Sequence, residues 1–324
     1  MSNTQDQINT GVIGTGNMGR HHARVYNELP DSNLVGVYDI DADQAEKVAA
    51  KHGTESLEFE ELLERVDAVS VAVPTLHHYD TVKQCLERGV HVLVEKPFVD
   101  NRSQGEELIE IAEENNVQIQ VGHIERFNPA VVALQDIVPD IDIINIGAER
   151  LGPPLDRDME DSVVEDLMIH DIDILLWLVN SEVSSISTFD SDEAYTTANF
   201  QFEDGTIARL TASRVTQRKV RKLTITAHSC RIEVDYIDRT VEIYRHSLPE
   251  YIEENGDIRY RHESIVERPM VGNEEPLKSE LKSFLESVRT GETPQVSGQD
   301  GLRAVEYIEK IQEATASKRK QLKQ

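Results

Sequence analysis

Short apolar runs alternate with amphipathic segments over the first 122 residues. The pattern predicts strands at Asn9–Ile13, Leu34–Tyr38, Ala68–Val73, His91–Val94 and Gln118–Val121. Helical spacing lies between them at Met18–Glu28, Ala42–His52, His78–Arg88 and Ser103–Asn115. Apolar strands alternating with helices of this length predict a parallel sheet covered on both faces. After Gly122 the pattern changes. Pro129 opens a helix in AVVALQDIV, since proline is favoured at a first helical position. A strand at Ile141–Arg150, a proline-rich loop and a helix across Val163–Val179 follow. From Val183 to Tyr244 strand patterns continue with no long helix, and the turn Glu203-Asp204-Gly205-Thr206 joins Ala198–Phe202 to Ile207–Ser213 as a hairpin. This second sheet is expected to be mostly antiparallel. Residues 246–275 are polar and carry no assignable period. Helices near Glu275–Thr290 and Asp300–Ala316 and a frayed lysine-rich tail close the chain. The expected fold is α/β, with a doubly wound domain over 1–122 and a second α/β domain over 123–324.

Composition narrows the function classes. A chain of 324 residues with 39% hydrophobic content accommodates two domains of ordinary size. No apolar run approaches the length of a membrane span, and the first residues have neither a basic region nor an apolar stretch, so a cytoplasmic protein without a secretory signal is expected. Cys85 and Cys230 lie far apart and read as free thiols in a reducing compartment. The net charge of −27 argues against nucleic acid as a partner.

Gly14-Thr15-Gly16-Asn17-Met18-Gly19 fits the G-x-G-x-x-G fingerprint, after a strand and at the start of a helix. The first glycine permits the tight turn, the second admits a pyrophosphate to the backbone, and the third lets helix and strand pack closely. Free N–H groups at the helix start then face the phosphates. Asp39 ends the next strand, where a carboxylate accepts hydrogen bonds from ribose hydroxyls and repels a 2′-phosphate. No arginine follows it, so NAD is expected over NADP. The competing reading of Asp39 is a cap for the Ala42–His52 helix.

Two further segments carry candidate chemistry. HVLVEKP at 91–97 places Lys96 at the carboxyl end of a buried strand, where open α/β sheets bind ligands. Asp166, His170 and Asp173 fall at i, i+4 and i+7 of a helical pattern, on one face. Carboxylates one turn away can set the tautomer and basicity of His170 for proton transfer. The alternatives are a buried ion-pair helix and, with less support because no second histidine stands at ligand spacing, a metal site. The pairs His21-His22 and His77-His78 read as ordinary first-turn residues beside the cofactor. His123 follows a strand and could reach the same region.

These motifs together resemble the Gfo/Idh/MocA oxidoreductases. GTGNMG near the start, EKP at 95–97, G-x-x-x-R-F-x-P from Gly122 to Pro129 and D-x-x-x-H-x-x-D from Asp166 to Asp173 occur in the family's order across nearly the whole chain. The resemblance implies a Rossmann domain, then an α/β domain with a large open sheet, and NAD(P)-dependent oxidation of a sugar or cyclitol hydroxyl. It implies Lys96, Asp166 and His170 as catalytic residues, with the substrate hydroxyl between Lys96 and His170. It also implies cofactor contacts at Gly14, Gly16, Asn17, Met18, Gly19, Asp39, Pro74, His78, Glu95 and Lys96, and substrate contacts at Lys96, Arg126, Asn128, Asp166 and His170, with no metal. EDLMIHD lacks the glycines the family often carries there, which bears on the substrate pocket. VGHIERFNPAV and DLMIHDIDI are similar to a subgroup acting on UDP-N-acetylglucosamine. Inositol or free-sugar dehydrogenation, an NAD-retaining lyase or glycosidase, and a non-catalytic NAD sensor are the alternatives.

RVTQRKVRK concentrates Arg214, Arg218, Lys219, Arg221 and Lys222 in an acidic chain. The cations either hold the diphosphate of a nucleotide sugar or meet acids across a subunit interface. Strand alternation would send Arg218 and Lys222 to one face and Lys219 and Arg221 to the other. Alternating Leu223, Ile225 and Ala227 suggest an uncovered apolar face, and with it a homodimer or homotetramer formed through the C-terminal sheet.

Overall fold

A computed structural model describes residues 7–154, 162–191, 194–246, 250–254, 257–261 and 263–322. By compactness the chain divides into two units. The first is Met1–Phe127 with Glu274–Glu309, and the second is Asn128–Asn273 with Lys310–Gln324. The single cut expected after residue 122 therefore becomes an excursion out of the first unit and back.

The first unit holds strands β1 (Ile8–Ile13), β2 (Ser32–Tyr38), β3 (Glu55–Ser56), β4 (Ala68–Val71), β5 (His91–Glu95) and β6 (Ile119–Gly122), with helices α1 (Gly19–Glu28), α2 (Ala42–His52), α3 (Phe59–Arg65), α4 (His78–Glu87) and α5 (Arg102–Asn115). All strands pair in parallel in the order β3-β2-β1-β4-β5-β6, the doubly wound dinucleotide-binding order. Helix α2 has the bounds its signals predict. Asp41 accepts a hydrogen bond from Gln44 N at 3.2 Å at its start, and Gly53 closes it in the left-handed region at φ 68°. The two-residue strand β3 and the short α3 have no sequence expectation behind them.

The second unit holds α6 (Pro129–Val132), β7 (Ile143–Leu151), α7 (Ile169–Leu178), β8 (Val183–Ser191), β9 (Tyr195–Phe202), β10 (Ile207–Ser213), β11 (Val220–Ala227), β12 (Arg231–Asp235), β13 (Thr240–His246), β14 (Glu250–Glu254), β15 (Asp257–Arg261) and β16 (Ser264–Glu267). Eight strands form one sheet in the order β16-β13-β12-β11-β7-β10-β9-β8, antiparallel except where β10 runs parallel to β7. Strands β14 and β15 form a separate hairpin in the stretch that had no assignable period. The helix begun by Pro129 is shorter than expected and passes into 3-10 turns over Ala133–Asp136. Part of the proline-rich loop, residues 155–161, lies outside the described residues.

The apolar row of β11 is not an open face. Leu223, Ile225 and Ala227 are 1%, 0% and 8% exposed. The opposite face of the sheet is mixed, with Thr224 and Thr226 half-buried beside Asn145 and Gly147 of β7, exposed Ser185 and Ser187 of β8, and exposed Phe189, Tyr195 and Ile207. The argument for an oligomer from Leu223, Ile225 and Ala227 therefore falls, because those side chains are buried within the chain.

Helix α8 (Pro276–Thr290) returns the chain to the first unit, and α9 (Gly298–Leu322) follows; the tail expected to fray is helical to Leu322. Leu277, Leu281, Phe284 and Leu285 of α8 share a core with Ala23 and Tyr26 of α1 and Leu93 of β5. Each such side chain contributes about 1.5–3 kcal/mol through burial. Phe284→Ala should therefore lower unfolding stability by about 3–5 kcal/mol. Urea titration followed by NADH binding checks this; loss of less than about 1 kcal/mol would place α8 outside the cooperative first unit.

Candidate active site

The carboxyl edge of the first sheet is built around the glycine turn. Gly14 has φ 87°, and a Cβ there would stand 2.7 Å from Ala72 O. At Gly19 a Cβ would meet Gly14 O at 1.7 Å, so α1 starts in direct contact with the turn. Gly16 is exposed and a Cβ on it would meet nothing within 4 Å. This is the space a pyrophosphate requires, in front of a helix start with no acidic residue in its first turn. Asn17 is exposed beside it, where its Oδ1 accepts from Arg20 at 2.8 Å, and Met18 is half-buried at the helix cap.

Asp39 closes this turn from β2. Its Oδ2 accepts from Thr15 N at 2.6 Å and from Thr15 Oγ1 at 2.9 Å, and its Oδ1 accepts from Asp41 N at 3.0 Å. Asp41, not Asp39, caps α2. Gln44 donates to Thr15 O at 3.0 Å. Thr15 is thus held on three atoms, a role carried by the variable position of the motif and invisible in its spacing.

Beyond β4, exposed Pro74 precedes a 3-10 turn over Thr75–His77. His78 is buried, with Nδ1 2.8 Å from Pro97 O and Nε2 3.0 Å from Val73 O. Burial holds this imidazole below its ordinary pKa against the pull of the two carbonyls. A neutral ring has one N–H and donates to one of them at a time. His78 so links the end of β4 to the EKP turn.

Lys96 is half-buried and follows β5 directly. Glu95 beside it is 13% exposed at the side chain and 2.8 Å from His22 Nε2. Burial disfavours its ionised form, but the hydrogen bond from His22 and the positive field of its neighbours, Lys96 among them, outweigh burial and hold the carboxyl below the usual range. The stability linked to this group is present at neutral pH and is lost as pH falls through the depressed value. His22 lies in the first turn of α1, as expected, but it is fully buried and turned to Glu95.

His123 follows β6 and is fully buried. Arg126 is 4% exposed, with Nη2 3.8 Å from Asp300. In the second unit, Asn128 Oδ1 accepts from Ala130 N at 3.1 Å and its Nδ2 donates to Tyr236 O at 3.2 Å. These contacts give the Asn128 amide a fold-holding role beside the substrate role the resemblance implies.

Asp166 lies in a π-helical turn, Val164–Met168, that runs into α7 at Ile169. A π turn carries one more residue per turn than the α-helix the spacing assumed. Asp166 accepts from Arg214 Nη2 at 2.9 Å, in a pair 14% and 24% exposed. His170 is half-buried in the first turn of α7. Asp173, the third member of the expected face, is 1% exposed. Asp171, which the spacing did not single out, makes a buried bidentate pair with Arg150 Nε and Nη2, both at 2.9 Å, and Arg150 stacks over Tyr236. This pair fixes α7 on β7.

The cation cluster resolves within the chain. Residues 214–219 are a loop, so the expected strand alternation begins only at Val220. Arg221 donates to Leu151 O at 2.7 Å, Lys222 lies 3.7 Å from Asp235, and Arg218 and Lys219 are exposed. A cavity of about 880 Å³ opens at the far end of α7 around Trp177, Asp142 and His228; neither Asp166 nor His170 lines it. Among the described residues no group of three or more histidines, cysteines and acids could hold a metal ion, and no helix is long and apolar enough to cross a membrane.

The Asp39 geometry generates a cofactor prediction. Asp39→Asn keeps an oxygen for Thr15 and removes the charge. The ratio of kcat/KM for NADP to that for NAD should rise by about tenfold or more, since one charge-assisted contact exceeds 1.4 kcal/mol. Equal kcat/KM for both cofactors in the unmodified enzyme would assign Asp39 to the loop alone.

Residues 8–123 match the Gfo/Idh/MocA oxidoreductase family, NAD-binding Rossmann fold, and residues 156–323 match its C-terminal alpha/beta domain. A UDP-N-acetylglucosamine 3-dehydrogenase from Acidithiobacillus ferrooxidans is 35% identical over 246 residues, covering 73% of this chain and 77% of the relative. A solved structure of the enzyme of that name from the same organism superposes with a TM-score of 0.87 at 30% identity, over 96% of this chain and 98% of the other. A scyllo-inositol 2-dehydrogenase (NAD(+)) from Bacillus subtilis is 28% identical over 91% of this chain and 90% of its own length.

Proposed function

Because the chain belongs to the Gfo/Idh/MocA family of NAD-binding oxidoreductases, we propose that it oxidises the 3-hydroxyl of UDP-N-acetylglucosamine to a ketone. The observation that carries the reaction class is Lys96, which leaves β5 at the same sheet edge as the glycine turn. The substrate reading rests on the similarity to the UDP-N-acetylglucosamine 3-dehydrogenase.

The glycine turn and Asp39 would hold NAD, which would supply the hydride acceptor for the carbinol carbon. His170 takes the hydroxyl proton. The Lys96 ammonium stabilises the oxygen as negative charge develops on it. Asp166, itself steadied by Arg214, supports the cationic form of His170. Arg218 and Lys219 are the exposed cations we assign to the diphosphate. The first unit is the cofactor domain and the second the substrate domain in this reading. We also propose self-association through the exposed face of the eight-stranded sheet, where Ser, Thr and Asn side chains offer cross-chain hydrogen bonds beside exposed Phe189 and Ile207.

A panel of UDP-N-acetylglucosamine, free N-acetylglucosamine, myo-inositol and scyllo-inositol with NAD, followed by NADH absorbance, tests the reading. The nucleotide sugar should turn over fastest; faster turnover of an inositol would move the assignment to the cyclitol dehydrogenases that the Bacillus subtilis relative exemplifies. Lys96→Met and His170→Ala should each lower kcat by about 100-fold or more with NADH affinity nearly intact. Near-normal kcat in either variant refutes its assigned role. Sedimentation at micromolar concentration should give a mass above that of the 36.6 kDa chain, and a monomer would remove the proposed interface.

A further inference from the structure

His22 takes no part in the reaction proposed above, yet it is fully buried beside Lys96's strand. We infer that His22 is a positioning residue: its imidazole braces the Glu95 carboxylate against α1 and so sets Lys96 in place relative to the glycine turn. This inference rests on the catalytic reading of Lys96.

His22 is 0% exposed, and a buried imidazole is costly unless both ring nitrogens have partners. Both do. Nε2 is 2.8 Å from Glu95 Oε1, and Nδ1 is 2.9 Å from Ser70 Oγ. Ser70 Oγ is in turn 2.9 Å from Tyr26 OH. Tyr26 stands one turn beyond His22 on α1, so the two side chains converge on Ser70 of β4.

One assignment of hydrogens satisfies every atom. An ionised Glu95 only accepts, so Nε2 carries the ring hydrogen. Nδ1 then accepts from the Ser70 hydroxyl, and Ser70 accepts from the Tyr26 hydroxyl. The bonds run in one direction, from Tyr26 through Ser70 and His22 to Glu95. Tyr26, Ser70 and His22 are all fully buried, so the chain of bonds is closed to solvent at its Tyr26 end. It is a strut and not a route for protons to solvent.

The surrounding charges fit that role. Lys96 follows Glu95 on β5 and His78 faces it from α4, both favouring the carboxylate, while Glu280 of α8 acts on Tyr26 and His21 neighbours His22 on α1. The backbone also leaves room for the carboxylate: a Cβ on Gly122 of β6 would stand 3.1 Å from Glu95 Oε2. Four polar side chains occupy a place where apolar ones of similar volume would serve stability as well or better. They lie where three elements with different tasks meet. Helix α1 follows the phosphate turn, β4 holds its neighbour in the sheet, and β5 delivers Lys96.

The test uses the full-length enzyme with the panel substrate of highest turnover. His22→Leu should lower kcat by about 100-fold, the loss expected of a displacement near 1 Å at a reacting group. NADH affinity should change less than about threefold, a contribution under 1 kcal/mol. His22→Gln, whose amide N–H can reach Glu95, should recover part of kcat. If His22→Leu does not fold, Ser70→Ala serves, with an intermediate loss. In a Lys96→Met background His22→Leu should cost nothing more, because the strut then has no lysine to place. A substrate-independent arm follows acetylation of Lys96 by acetic anhydride, read by peptide mass spectrometry. It should differ between native enzyme and His22→Leu, since the anion beside the amine is no longer held. A folded His22→Leu with native kcat, pH profile and Lys96 labelling overturns the inference, as does a variant that loses only thermal stability. If Lys96→Met is inactive while His22→Leu is normal, the strut alone fails. If Lys96→Met turns over normally, the catalytic reading itself fails.

Discussion

The approach of α1 to the glycine turn is the constraint from which the first unit's site follows. A methyl group at Gly19 would lie 1.7 Å from the Gly14 carbonyl, well inside any permitted contact. Only hydrogen fits, and so the helix begins against the turn. That placement lets His22, one turn later, reach Glu95, and it leaves the N–H groups of the helix start facing the open space at Gly16. Asp39, through Thr15, holds the same turn from the opposite side. The phosphate site and the lysine strand are therefore parts of one packing arrangement.

Much of this unit was legible because its signals are local. The five principal strands are short and mostly apolar, as expected of strands in a covered parallel sheet. Helix α2 carries an aspartate cap and a closing glycine at its ends. What escaped notice depends on contacts distant in sequence. His22 and Glu95 are 73 residues apart, and no spacing rule joins them. Thr15 occupies a position the fingerprint leaves open. Strand β3 has two residues, too few for any period to register.

The second unit was read more coarsely, and the reasons are physical. The spacing of Asp166, His170 and Asp173 was read as α-helix throughout, whereas Val164–Met168 is a π turn whose extra residue no sequence period announces. Helix α7 is buried nearly all round, so polarity along it does not mark an exposed catalytic face. The aspartates are instead sorted by the arginines they meet, Asp171 by Arg150 and Asp166 by Arg214. The local excess of arginine and lysine in an acidic chain is partly explained by these internal pairs, together with Lys222 and Asp235.

The division of the chain also bears on how the protein is made. The first unit is not contiguous: its core includes α8, and Gly301 of α9 fits against Val121, where a Cβ would meet a methyl carbon at 2.5 Å. A ribosome that has released residues 1–127 has therefore released a sheet that still lacks part of its cover. The missing helices arrive only after the whole eight-stranded sheet has been synthesised. At about 5–20 residues per second, the nascent first unit waits on the order of ten seconds or more for residues 274–309. During that interval Leu93, Ala23 and the rest of that core face whatever surrounds the ribosome. Chaperone demand in this protein should thus fall on the segment translated first, although it carries the more regular fold.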